Sequence, residues 1–169
     1  MKYTDILKEN THLGESLSSE KYTIRVLSNI VVNQLGEILE YFLRDNAIPA
    51  VVSFGDYDNI VQDSFNVSNE NLVIVFWELS NLIDGLHYRA EIFSDEEIKE
   101  LERKVLAEIE LVFESLKSLP LVLFNRFSTL LFCHNTIIQG QLETLARRLN
   151  GRLETMVSKN IHLIDIDKV

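Results

Sequence analysis

Short apolar runs rich in β-branched residues alternate with helix-period segments along the 169 residues. That alternation predicts an α/β fold, a three-layer α/β/α sandwich on about five mostly parallel strands. Two further observations agree. The run "NLVIVFWEL" (71–79) is continuously apolar, as a parallel strand covered on both faces must be. Glycine (6) and proline (2) are scarce, which argues against a turn-rich all-β sandwich and against disorder. With 46% hydrophobic residues and neither linker nor internal repeat, residues 1–169 read as one domain with one core.

The elements follow in order. Residues 1–20 read as an irregular, partly helical lead-in anchored by Ile6, Leu7, Leu13 and Leu17. "TIRVLS" (23–28) predicts a buried strand. "NQLGEILEYFLRDN" (33–46) then sets Leu35, Ile38, Leu39, Phe42 and Leu43 at helical spacing, with Asn46 and Pro49 marking its exit. "AVVSF" (50–54) predicts the second strand and "GDYDN" a turn-rich corner. The apolar run 71–79 predicts the third strand, and "SNLIDGLHYRAEIF" a long loop beside any site.

Ser94 and Glu97 have the spacing of a capping box. Ile98, Leu101, Val105, Ile109, Val112 and Leu116 then follow at intervals of three and four, giving a helix with a charged outer face. "LPLVLFNRF" (119–127) predicts the fourth strand, while "STLLFCHN" fits either an extended piece or a buried loop. A helix is expected from about Ile138 to Met156 on Leu142, Leu145, Leu149 and Leu153. "NIHLIDID" (160–167) predicts the last strand.

A net charge of −10 repels nucleic acid and anionic membrane, and "ARR" (146–148) is too short to offset it. No apolar run approaches the roughly 20 residues that span a bilayer. The start "MKYTDILKEN" is too polar for a signal peptide. A single cysteine, Cys133, permits no internal disulfide and suits a reducing, cytoplasmic setting.

In an open parallel sheet, ligands bind beyond the carboxyl ends of the strands. Those ends supply Ser28 and Asn29, Gly55 and Asp56, Glu78, Ser80 and Asn81, and Asn125, with Asp165 and Asp167 at the last strand. Such residues present hydrogen-bond donors to a ligand oxygen. Equally, Ser28 and Asn29 suit caps of the following helix. A serine nucleophile needs a histidine base held by a carboxylate. "DGLH" (84–87) has Asp-x-x-His spacing but follows the third strand instead of the last, and His134 sits beside Cys133 in "FCHN". "HLIDIDKV" is similar to the Asp-x-Asp signature of haloacid-dehalogenase-type phosphotransferases, yet only Lys168 and Val169 follow it, so it fails as that site here. No zinc, EF-hand, P-loop or dinucleotide motif is present, and neither a metal nor a cofactor is expected.

Four stretches carry a family resemblance. "LKENTHLGESLSSEKYTIRVLSNIVVNQLGEILEYFL", "FGDYDNIVQD", "NLVIVFWELSNLI" and "LARRLNGRLETMVSKNIHLIDIDKV" resemble, in this order, the N-terminal SGNH-hydrolase-like domain of FkbH-like proteins. The resemblance implies an SGNH- or flavodoxin-like fold. It also implies a neighbouring haloacid-dehalogenase-like domain that transfers a phosphoglyceryl-derived group to a carrier protein, in polyketide or surface-polysaccharide biosynthesis. Against the SGNH pattern, Ser28 and Asn29 take the Gly and Asp positions of the Gly-Asp-Ser block, and Ile30 stands where the nucleophile would be. Gly55 suits the second-block glycine, Asn81 stands in for the third-block asparagine, and the final Asp-x-x-His is missing.

The expectation is therefore an accessory or ligand-binding domain. It would grip an acyl or glyceryl group, or the arm of an acyl carrier protein, around Ser28, Asn29, Gly55, Asn81 and Asn125. Carrier proteins are themselves usually acidic, so the −10 charge argues against a broad electrostatic interface with one. The rival is a divergent esterase or acyltransferase with Ser28 as nucleophile and His87 or His134 as base. A purely structural domain is the third reading.

Overall fold

Five strands, β1 (Tyr22–Ser28), β2 (Ala50–Phe54), β3 (Leu72–Phe76), β4 (Val122–Asn125) and β5 (Ile161–Ile164), form the centre of the computed structural model. The structure describes residues 2–17, 19–130 and 140–168; Cys133, His134 and the ambiguous piece beyond Leu130 lie outside them. All pairings are parallel, in the order β2-β1-β3-β4-β5. This is the flavodoxin-like doubly wound order, whose direction of travel reverses between β1 and β3.

Alternation along the strands divides the core. Leu27, Val73, Val75, Val122 and Phe124 face one side, against α3 (Ile60–Ser64), α5 (Asp95–Leu116) and α6 (Gln141–Met156). Ile24, Val26, Leu72 and Ile74 face the other, where Leu39 and Leu43 of α2 (Asn33–Asp45) pack on them. Helices therefore cover both faces of the sheet. The α5 stripe is buried as its spacing predicts, with Phe113 added, and the capping box is formed: Ser94 Oγ accepts from Glu97 N–H at 3.3 Å.

The lead-in departs from its reading. It is helical over most of its length, α1 (Tyr3–Ser16), and not only in part. Ile6, Leu7, Leu13 and Leu17 are only half-buried, so the apolar signal is weak. Polar contacts hold the helix instead. Asn10 Nδ2 donates to Glu40 Oε2 (3.1 Å), and Arg44 Nη1 donates to Asn10 Oδ1 (2.9 Å).

The same two α2 side chains dress the edge of the sheet. Glu40 Oε1 accepts the Val52 N–H at 2.8 Å, and Arg44 Nε and Nη2 donate to the Ala50 carbonyl at 3.0 and 2.8 Å. Outward-facing backbone groups of edge strand β2 are thus paired with side chains and withheld from another chain.

Candidate functional site

Three strand ends are finished by asparagine side chains in place of continued backbone pairing. Beyond β1, Asn29 Nδ2 donates to the Glu78 carbonyl (2.9 Å) and Asn29 Oδ1 accepts the Glu78 N–H (2.7 Å). At the end of β4, Asn125 does the same to Trp77, accepting its N–H at 2.6 Å and donating to its carbonyl at 3.1 Å. Asn150 of α6 repeats the pattern on Phe127, at 2.8 and 2.9 Å. A carboxamide carries an acceptor and donors side by side, so it copies one peptide unit. This explains why β3 and β4 stop short of the runs 71–79 and 119–127.

The sequence-selected residues fall into two groups. Ser28, Asn29, Gly55 and Asn81 gather around the end of β1; Asn125 lies two strands away, at the end of β4 beyond β3. Asn29 is 1% exposed and Asn125 3% exposed, and both carboxamides are engaged as described. Neither Ser28 nor Asn29 caps α2, whose N-cap is Val32 without a side-chain bond. Asn81 is exposed and donates to the Asn29 carbonyl at 3.1 Å.

The Ser28 hydroxyl is held in a tight local turn. It donates to the Ile30 carbonyl and accepts the Ile30 N–H, each at 3.0 Å, and the residue is 7% exposed. His87 sits exposed on the short helix α4 (Leu86–Arg89), its ring 3.8 Å from that of Tyr88. Among the described residues, no hydrogen bond joins Ser28 to an imidazole. His134, the other base considered, is outside them.

Gly55 has a steric reason to be glycine. A β-carbon there would run into Asp63 Oδ2 and stand 2.9 Å from Leu27 Cδ2. Its N–H is spent on the Val26 carbonyl at 2.8 Å, and Asp58 N–H donates to the Ser28 carbonyl at 3.1 Å. The corner after β2 is thereby drawn over the end of β1. Asp63, 8% exposed, anchors that corner from beneath by accepting the Asp56 N–H (2.6 Å) and Asn59 Nδ2 (2.9 Å). Sequence reasoning missed Asp63, because its burial beneath Gly55 is set by packing and not by a local pattern.

Between the two corners lies a crevice of about 410 Å³, lined by Ser28, residues 30–33 and residues 54–57. It opens over the first turn of α2, which contains no acidic residue. Val31 and Tyr57 stand exposed on its walls. The crevice can hold a small ligand with an apolar portion, and the α2 end favours a ligand oxygen bearing partial negative charge.

Beyond β5, at the opposite edge of the sheet from the crevice, Asp167 accepts the Ser128 hydroxyl (2.6 Å) and the Thr129 N–H (2.9 Å) and hydroxyl (3.1 Å). Burial by itself pushes this carboxyl up. The Ser128 hydroxyl, the Thr129 N–H and hydroxyl and the Arg126 guanidinium outweigh burial and hold it below its ordinary value. Asp165 pairs with Lys168 at 2.9 Å. The two aspartates of "DID" thus turn to separate structural partners. Among the described residues, no group of three or more His, Cys, Asp or Glu side chains could hold a metal ion. No described helix is long and apolar enough to cross a membrane.

No family model matches the chain, and no curated protein does. Its fold is similar to a crystal structure of the N-terminal part of the protein BF1531 from Bacteroides fragilis, described as containing a phosphatase domain complexed with Mg. The TM-score is 0.71 at 12% identity. The match covers 99% of this chain and 46% of that one, so the chain spans less than half the length of its structural neighbour. At that identity the likeness establishes the α/β fold.

Proposed function

We propose that this chain is an accessory, ligand-binding domain of the FkbH-like kind, working beside a phosphatase-type catalytic domain and holding an acyl or glyceryl group in the crevice between the β1 and β2 corners. The observation that carries this reading is the state of Ser28. Its hydroxyl is closed onto Ile30, and the neighbouring Gly55 N–H is spent on Val26. A nucleophile needs a base within hydrogen-bond reach and free N–H donors for the developing oxyanion. What remains open is the crevice itself. Asn29, Asn81 and Asn125 do not line it; Asn29 and Asn125 brace the strand ends, and Asn81 donates to the Asn29 carbonyl. The neighbour with a phosphatase domain supports the pairing with a catalytic partner.

The test is a two-dimensional NMR titration of the intact chain with S-acetyl pantetheine and, separately, with glycerate. Amide shifts at Ser28 to Asn33 and Gly55 to Tyr57, saturating with either compound, are expected. A parallel assay with p-nitrophenyl acetate should give the same turnover for the parent and for Ser28→Ala. Turnover that Ser28→Ala abolishes would replace this reading with an esterase, and an unresponsive crevice would remove it.

A further inference from the structure

A second cavity lies on the other side of the β2 corner, apart from the crevice. It measures about 230 Å³ and is enclosed by α3, α5 and the turn after β3. Ile60, Leu101 and Val105 form buried walls, and Asp58, Gln62, Lys104 and Glu108 stand around its mouth. Trp77 forms part of the lining and is 3% exposed. Among the described residues its indole N–H has no acceptor, while no fully buried side-chain nitrogen or oxygen lacks a partner. The unpartnered Nε1 is therefore not fully buried, and Trp77 borders this cavity. An indole N–H buried this deeply ordinarily finds an acceptor.

We infer that this cavity is a binding site for a small neutral polyol, whose hydroxyls pair with the Trp77 indole and the mixed rim of Asp58, Gln62, Lys104 and Glu108. The chemistry of the lining selects the class. An anion would meet two carboxylates against one ammonium, within a chain of net charge −10. A small cation would turn its N–H donors toward the indole N–H and Lys104, which are donors too. A hydrocarbon would leave the indole and the rim unpaired, at a cost. A hydroxyl both donates and accepts, so a polyol serves carboxylate, amide, ammonium and indole together while its carbon backbone rests on Ile60, Leu101 and Val105. Lys104 and Glu108 are only loosely engaged with each other, at 4.0 Å, and are free to turn to it. The volume holds about eight water-sized groups, which suits a polyol of roughly four or five carbons. This inference is independent of the crevice, with which the cavity shares no lining residue.

Trp77 is the only tryptophan in the chain, so its fluorescence reports on this cavity. The experiment titrates the intact protein with erythritol, succinate and 1,4-diaminobutane, three four-carbon compounds that are neutral, anionic and cationic. Emission and acrylamide quenching are followed for the parent and for a variant carrying Gln62→Ala and Glu108→Ala, both at the mouth and outside the buried core. Erythritol is expected to shift the emission saturably and shield Trp77 from acrylamide, with at least a fivefold weaker affinity in the variant. The inference is overturned if erythritol gives no saturation, if parent and variant respond alike, or if succinate or 1,4-diaminobutane saturates in its place.

Discussion

Asn29 shows how one side chain acts at the residue scale. Its carboxamide supplies the partner for both the N–H and the carbonyl of Glu78, in a place where solvent cannot. Asn29→Ala strands both groups, and each buried polar group left unpaired costs about 1–3 kcal/mol. A lower urea midpoint with an unchanged slope is expected, and Asn125→Ala should behave in the same way. An unaltered midpoint would mean that the bonds are replaced by water. Asp167 gives a second, pH-dependent test. Its carboxyl titrates below its ordinary value of 3.8 in the folded chain. The contribution to stability is therefore complete above the unfolded pKa and is lost as pH falls through the folded one. Thermal melts of the parent between about pH 5 and pH 2 should fall more steeply than those of Asp167→Asn over the acid end of that range. Parallel curves would show that Ser128 and Thr129 do not depend on the charge.

At the scale of elements, the end of α2 carries a correctable strain. The Ala47 N–H donates to the Arg44 carbonyl and the Ile48 N–H to the Leu43 carbonyl, both at 2.9 Å, which is the Schellman pattern. The residue that must be left-handed there is alanine, with φ of 61°. Glycine adopts that conformation without a Cβ clash, so Ala47→Gly should stabilise the chain by about 0.5–1 kcal/mol, read as a higher melting temperature. Arg44 tests the opposite direction. It joins α1, α2 and β2 through Asn10, Glu40 and the Ala50 carbonyl. Arg44→Met should cost about 2–4 kcal/mol by removing the countercharge of Glu40 and the donors to the Ala50 carbonyl. It also uncovers one outward group of β2, the Ala50 carbonyl, so size-exclusion chromatography should detect self-association that the parent does not show.

For the whole molecule, the excess of acidic over basic residues is the governing quantity. With 26 Asp and Glu against 16 Lys and Arg, the folded chain repels itself. Salt at about 0.1 M shortens the reach of that repulsion to about 10 Å. The melting temperature should consequently rise from low ionic strength to about 0.3 M sodium chloride. The paired Glu40 and Arg44, mostly shielded from solvent, should be little weakened over the same range. A falling melting temperature would place the balance with the surface ion pairs instead.

Sequence alone determined the layers. The β-branched runs, the α5 capping box and the α5 and α6 stripes depend on local periodicity and on burial of one face, and a chain carries both in its order of residues. The five parallel strands lie where those runs predict, with β3, β4 and β5 trimmed at their ends. Tertiary structure decided what the polar residues at the strand ends do. Asn29 and Ser28 are equally polar and adjacent in sequence, yet one bridges to β3 and the other closes on Ile30. The partner that Asn29 finds lies about fifty residues away, and no local pattern encodes that distance. The helical order of α1 also rests on distant partners, Glu40 and Arg44, because its own apolar face is weak. The same holds for Asp63 under Gly55 and for the Trp77 N–H. Burial and pairing are properties of the packed neighbourhood, which only the folded chain assembles.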